Sequence, residues 1–313
     1  MRISMKSGRL LFLILFFQFM ALFASDKSHV LDNRSILIRV LEGQQFPEGP
    51  AWDGRSRLFS SNCRGDWISV VGPDSQYVFL RASAQPFTFG QTNGLTFFRD
   101  GSLYACDFGI GAIVRISMDG KSQIVAPGYQ GKRFNRPNDL AFDCAGNLYF
   151  TDPNQYDRSN PDGVVYRLDH RSRDVTPAAV GLAFPNGLAF SADGLWLYVC
   201  ESAFERVVKF RVDADGSLTD RSTFIELPGG DPDGIAFDRK GRLFIAHFGG
   251  GAVYVVDARG KIVEKIILPG KKPSNVEFGD ADLKSLYITE DESNAIYKLR
   301  LRTPGLKLFC APE

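Results

Sequence analysis

Glu48, Asn93, Asn138, Asn186, Asp233 and Ser274 each open a short apolar segment of this 313-residue chain. A second polar residue follows each of them fourteen to sixteen positions later: Asn62, Asp107, Asp152, Glu201, His247 and Glu290. All twelve carry oxygen or nitrogen, and none is aliphatic. Singly, Asn-Gly and Asp-Gly are ordinary turn dipeptides. Glu48 is a poor turn former, however, and gathering carboxylates and amides in one place is costly unless something compensates their desolvation. A hard divalent cation does so. Ca²⁺ takes about six to eight oxygens from carboxylates, amide carbonyls and water. Glu48 and Asp233 match the charge of such an ion, and Asn138 and Asn186 add neutral oxygens. Zinc would draw His or Cys, and His247 is the one imidazole near the set. Ca²⁺ is the expected ion, with Zn²⁺, Mn²⁺ and Mg²⁺ as alternatives.

The elements that must position these residues repeat. EGPAW, NGLTF, NDLAF, NGLAF, DGIAF and SNVEF begin at 48, 93, 138, 186, 233 and 274, in steps of 45, 45, 48, 47 and 41 residues. Each is followed by a second segment (LFSSN, LYACD, LYFTD, LYVCE, LFIAH, LYITE) and a third (WISVV, AIVRI, VVYRL, VVKFR, AVYVV, AIYKL). Segments of about five residues, rich in Val, Ile, Leu, Phe and Tyr and bounded by Gly, Asp, Asn or Pro, are strands. With a variable fourth strand, six such units predict an all-β fold: a six-bladed β-propeller of four-stranded antiparallel blades around a central channel. Ser35 to Leu41 supplies the outer strand of the last blade and closes the ring. One domain spans 35–310. In this plan the start of strand one and the end of strand two lie at the same mouth of the channel. Arg136 and the polar loop 153–163 lie there too. Asp107, Asp152 and His247 form a second ring of candidates for proton transfer or ligation.

The net charge is +1, and −2 without Arg2, Lys6 and Arg9. No basic run exists, so nucleic acid is not an expected partner. Residues 1–25 read as a signal peptide: a basic start, an apolar run from Leu10 to Phe23, then small residues. The chain is therefore expected to be exported, periplasmic or secreted. A membrane anchor retained at the N-terminus is the alternative, and no other segment is expected to meet a membrane. Cys63, Cys106, Cys144, Cys200 and Cys310 form no CxxC pair, which argues against a thiolate metal site and permits a disulfide.

EGPAWD (48–53), NRPNDLAFDCAGNLYFTDP (135–153), PNGLAFSADG (185–194), PDGIAFDRKGRLFIAHFGGG (232–251) and FGD…LYITE (278–290) occur in order and at repeat spacing. With these motifs the chain resembles the gluconolactonase/senescence-marker-protein (regucalcin) family over nearly all its length after the leader. The resemblance implies hydrolysis of sugar-acid lactones or related esters with one divalent cation in the channel. It implies Glu48, Asn186 and Asp233 as metal ligands, Asn138 as a ligand or substrate contact, and Asp233 as the catalytic residue that transfers the proton. Arg136 is implied as a substrate contact, and Asn93 is expected to contact substrate as well. A related phosphotriesterase uses a similar Glu/Asn/Asn/Asp set, so phosphotriester hydrolysis is an alternative. A non-catalytic propeller with a structural cation is another. The expected partner is a small lactone or ester.

Overall fold

Each sequence unit folds into one antiparallel sheet in the computed structural model, which describes residues 30–82 and 89–308. A short strand β1 (Ile38–Leu41) precedes the first blade. Blade one is β2 (Pro47–Trp52), β3 (Leu58–Asn62), β4 (Trp67–Val71) and β5 (Gln76–Arg81). Blade two is β6 (Thr92–Phe97), β7 (Leu103–Asp107), β8 (Ala112–Ile116) and β9 (Ser122–Ala126). Blade three is β10 (Leu140–Phe142), β11 (Leu148–Asp152), β12 (Gly163–Leu168) and β13 (Val175–Leu182). Blade four is β14 (Pro185–Phe190), β15 (Trp196–Glu201), β16 (Arg206–Val212) and β17 (Leu218–Glu226). Blade five is β18 (Asp231–Phe237), β19 (Leu243–Phe248), β20 (Ala252–Val256) and β21 (Ile262–Ile267). Blade six is β22 (Pro273–Gly279), β23 (Ser285–Glu290) and β24 (Ala295–Arg300). β1 pairs with β24 antiparallel, Ile38 opposite Lys298, and completes blade six. This is the closure expected of residues 35–41, and it covers the edge that the last sheet would otherwise expose.

The apolar residues of the repeat make the seams between blades. The aromatic that follows the first leucine of each second strand meets the aromatic that ends the next blade's first strand. The pairs Phe59–Phe97, Tyr104–Phe142, Tyr149–Phe190, Tyr198–Phe237 and Phe244–Phe278 have ring centroids 4.9–5.2 Å apart and cross edge to face. Such pairs add roughly 0.5–1.5 kcal/mol each beyond the area they bury. At the seam where the chain's ends meet, Trp52 and Tyr287 stack instead, at 6.1 Å. The buried core follows suit, one cluster to each seam. Seam hydroxyls add polar links: Ser61 donates to Thr92 Oγ1, Thr151 to the Asn186 carbonyl, Ser202 to Pro232 and Ser274 to Pro47.

β10 is shorter than the expected first strand. The Asp139 carboxylate accepts the Leu140 N–H, and the Asn138 N–H and Asp139 carbonyl still bond Thr151 of β11 just ahead of the regular strand. At the far end of the channel, the segment after blade six crosses beneath the blades. Leu306 donates its N–H to the Phe237 carbonyl and packs at the blade four–five seam, whereas Leu308 packs at the blade one–two seam. A cavity of about 280 Å³ lies between this segment and the channel wall.

Cys63, Cys106 and Cys200 are buried free thiols, and Cys144 is disulfide-bonded. Cys310 and the expected leader, 1–25, lie outside the described residues. Among the described residues, no helix is long and apolar enough to cross a membrane.

Candidate metal centre at the channel mouth

The inner strands do not run straight to the mouth. Their pairing slips between Glu48 and Ala51, Thr92 and Leu95, Pro185 and Leu188, and Pro232 and Ile235. A bulge at this point re-aims the side chain that precedes it. The Gly after the polar residue is there for close packing, not for a hairpin turn. A Cβ on Gly49 would lie 2.3 Å from the Asn93 carbonyl oxygen, and one on Gly187 would lie 2.3 Å from that of Asp233. Neighbouring inner strands therefore touch backbone to backbone, which draws the polar residues toward the axis.

Glu48, Asn186 and Asp233 are buried, and Asn93 and Asn138 are half-buried. Ser274 departs from the ring, with its hydroxyl on the Pro47 carbonyl and on Thr289. The blade-six side chain that reaches the ring is Asn275, whose Nδ2 donates to Glu48 Oε2 at 3.3 Å. Asn275 and Asp139 stand where the other four repeats carry Gly. Burial first, and then the neighbouring carboxylates, push Asp233 well above the usual range. Glu48 is raised in the same way, with Asp139 and Asp291 adding to the effect. Burial also raises Asp139, to about 7.

The residues fit a hard cation. Asp233 Oδ1 is buried without a hydrogen-bond partner. Among the described residues no Lys or Arg forms a salt bridge with Glu48 or Asp233. Two buried negative charges, neutral amide oxygens and one unused carboxylate oxygen make an oxygen donor set of the kind Ca²⁺ takes. No group of three or more His, Cys, Asp or Glu is placed to hold a metal among the described residues. The donor set is thus two carboxylates with amides.

The second polar set does something else. Each member ties down the segment leading to the ring residue of its own blade. Asn62 Oδ1 accepts the Gln45 N–H at 2.8 Å. Asp107 accepts those of Gly90, Gly109 and Ile110. Asp152 accepts Asn135 at 3.1 Å and Arg136 at 2.8 Å. Glu201 accepts Ala183 and is held by Arg206 and Arg221. Glu290 accepts Lys272 and Ser293. His247 Nε2 lies 2.9 Å from the Leu227 carbonyl and so carries the proton, while Nδ1 is unpartnered. Burial raises Asp107 to about 6, and Asp152 also lies above its ordinary value. The carboxylates of Asp107 and Asp152 are therefore occupied with backbone amides, which fix the loops that carry Asn93, Arg136 and Asn138.

Above the ring, the residues two positions upstream form a vestibule of unlike side chains: Phe46, Gln91, Arg136, Phe184, Asp231 and Lys272. Phe46 (φ 58°) and Phe184 (φ 56°) adopt left-handed backbone, which is uncommon for bulky residues. Phe46 stacks on Phe248 at 6.0 Å, across from blade one to blade five. The loop after Asp152 reaches across blade four, as a lid would. Tyr156 packs on Phe184 at 5.3 Å, and its hydroxyl donates to Asp231 Oδ1 at 2.7 Å. Arg136 lines a cavity of about 510 Å³ with Phe46, Cys63, Arg64, Gln91 and Phe108. Arg64 has no counterpart in the sequence repeat, and only the fold brings it here.

Residues 46–291 match the SMP-30/Gluconolactonase/LRE-like region family. The chain is 32% identical to a gluconolactonase of Zymomonas mobilis, over 88% of this chain and 84% of that one. It is 29% identical to the diisopropyl-fluorophosphatase of Loligo vulgaris, over 66% of this chain and 71% of that one. Among solved structures, a gluconolactonase from Xanthomonas campestris superposes with a TM-score of 0.76 at 32% identity, covering 86% of this chain and 90% of that one.

Proposed function

The chain belongs to the SMP-30/gluconolactonase/LRE-like family, and we propose that it is a divalent-cation-dependent hydrolase that opens sugar-acid lactones. One observation carries the reading: at an open channel mouth, Glu48 and Asp233 are buried together without a cationic partner, and Asp233 Oδ1 is unpartnered. Glu48, Asn138, Asn186 and Asp233 are the residues that hold the ion, and its oxygen ligands favour Ca²⁺. When bound, a divalent cation supplies Lewis acidity to a carbonyl oxygen and charge to the developing oxyanion. Asn93 and Asn138 orient the ring hydroxyls of the substrate, and Arg136 holds a further polar oxygen of it. Asp233 accepts the proton of the attacking water. Asp107 and Asp152 keep the loops bearing the binding residues in place. The Tyr156 lid limits access of bulk water from the blade-four side. The N-terminal leader directs the protein out of the cytosol.

Likeness to the diisopropyl-fluorophosphatase of Loligo vulgaris keeps phosphotriesters as a second substrate class at the same ring. The test is base uptake at constant pH on a panel of sugar lactones, aryl esters and a fluorophosphate, with and without chelator. Chelator-sensitive turnover of lactones, lost in Asp233→Asn, is the expected result. No chelator-sensitive turnover of any substrate would overturn the hydrolase reading in favour of a binding propeller.

A further inference from the structure

The vestibule is electrically lopsided. On the blade-five side stands Asp231, engaged by Tyr156. On the side of blades one to three stand two guanidiniums, Arg64 and Arg136, lining one cavity with Phe46, Gln91 and Phe108. Both arginines are exposed, and among the described residues neither forms a salt bridge. The third rim cation, Lys272, does, with Asp291 at 3.7 Å. Arg64 lies on the Phe46 ring, 4.8 Å from its centroid, and this fixes its plane. The Asp152 carboxylate holds the Arg136 backbone N–H at 2.8 Å, which fixes where that side chain starts.

Two anchored guanidiniums that share a cavity, neither closed into a salt bridge and only Arg64 with a carboxylate, Asp291, in its field, form a receptor for an oxyanion, since guanidinium forks match carboxylate, phosphate and sulfonate oxygens two at a time. A ring hydroxyl does not call for this much charge. The cavity also lies beside the ring and not over it: Cys63 joins its lining, whereas Glu48, Asn93, Asn138, Asn186 and Asp233 do not.

We infer that the preferred substrate is a lactone bearing a second, anionic group remote from the ester carbonyl, and that Arg64 and Arg136 together bind that group. This rests on the lactonase reading for the reaction, but not for the binding. A neutral lactone then occupies only half of the site. The anion must stand several bonds from the carbonyl, because the arginine cavity is displaced toward blades one and two while the carboxylates lie at the axis.

The test measures binding first, so that it does not depend on turnover. Calorimetry with the full chain compares gluconate, 6-phosphogluconate and glucarate, which are open-chain acids differing at the far end. The phosphate or the second carboxylate should tighten binding by about tenfold or more, the worth of one charge-assisted contact. Arg64→Gln and Arg136→Gln should each collapse that ratio toward one, and Arg64→Lys should restore part of it. A preference for 6-phosphogluconate alone, or for glucarate alone, identifies the anion. Equal affinity of the wild type for all three acids would overturn the proposal, and so would a ratio unchanged in Arg64→Gln. Turnover is read separately, on glucono-1,5-lactone and its 6-phosphate. Failure to hydrolyse either with the binding preference intact refutes the lactonase reading and leaves the anion subsite standing.

Discussion

Asp152→Asn separates two roles that one carboxylate at a channel mouth can play. Asp152 is nearly fully buried and accepts the N–H groups of Asn135 and Arg136, one to each oxygen. Asparagine keeps one acceptor and turns an NH₂ toward the other amide, so one partly buried N–H loses its partner. That costs about 1–3 kcal/mol. Burial pushes the Asp152 carboxyl up, so an uncharged side chain recovers part of the loss, and the lower half of that range is expected. For a domain of this size each kcal/mol moves the melting temperature by roughly 2–4 °C, so calorimetry should record a fall of several degrees. The loosened loop carries Arg136 and Asn138. In lactone hydrolysis KM should therefore rise while kcat stays within about threefold, because positioning and not proton transfer has been lost. A general base removed would lower kcat by about 10²–10⁴. An unchanged melting temperature with a collapse of kcat would refute the argument and make Asp152 the proton acceptor.

Three further outcomes are expected. A divalent cation at a hundred times its Kd should stabilise the fold by about 2.7 kcal/mol, and chelator, or Asp233→Asn, should remove that gain in a thermal scan. Gly187→Ala should cost about 1–3 kcal/mol by overpacking and weaken cation affinity in calorimetry, since its methyl would press on the Asp233 carbonyl; unchanged affinity would mean that the backbone contact does not set the ring. Burial holds Asp107 at about 6, above its ordinary 3.8. Its contribution is therefore fully present below about 4 and is lost as pH rises through about 6. The melting temperature of the wild type, measured against Asp107→Asn, should fall across that window, and a flat difference would contradict the assignment.

The propeller was legible because the residues that define the repeat are those that weld one blade to the next. LF or LY in one unit and the aromatic closing the first strand of the following unit form the seam pairs. β1 was legible for a similar reason: an apolar strand without a partner of its own predicts an edge that needs covering. The polar residues that open the first strands were legible, and the structure buries or half-buries five of them, whereas in the sixth blade the side chain facing Glu48 is displaced by one residue. There Ser274 serves the seam and Asn275 faces Glu48. The displacement follows from the bulges, which ladder periodicity does not encode. A sign of it was nonetheless present, since Asn275 and Asp139 replace the Gly of the other repeats. The residues ending the second strands read as site candidates because an oxygen that accepts a backbone N–H is chemically the same as one that ligates a cation. The fold alone shows which partner is within reach. Arg64 sits outside the repeat and gave no such sign.

The segment Gly305–Leu308, crossing the far end, has a bearing on traffic. Anchored at two opposite seams, it lies across the far end of the channel, so the ring is approached from the vestibule side. The product must back out by the route the substrate took before another can enter. Opening a lactone creates a carboxylate, so what leaves is more negative than what arrived, and it leaves past Arg64 and Arg136. The same rim that captures an anionic substrate therefore slows the departure of its product, and salt that weakens capture should hasten release.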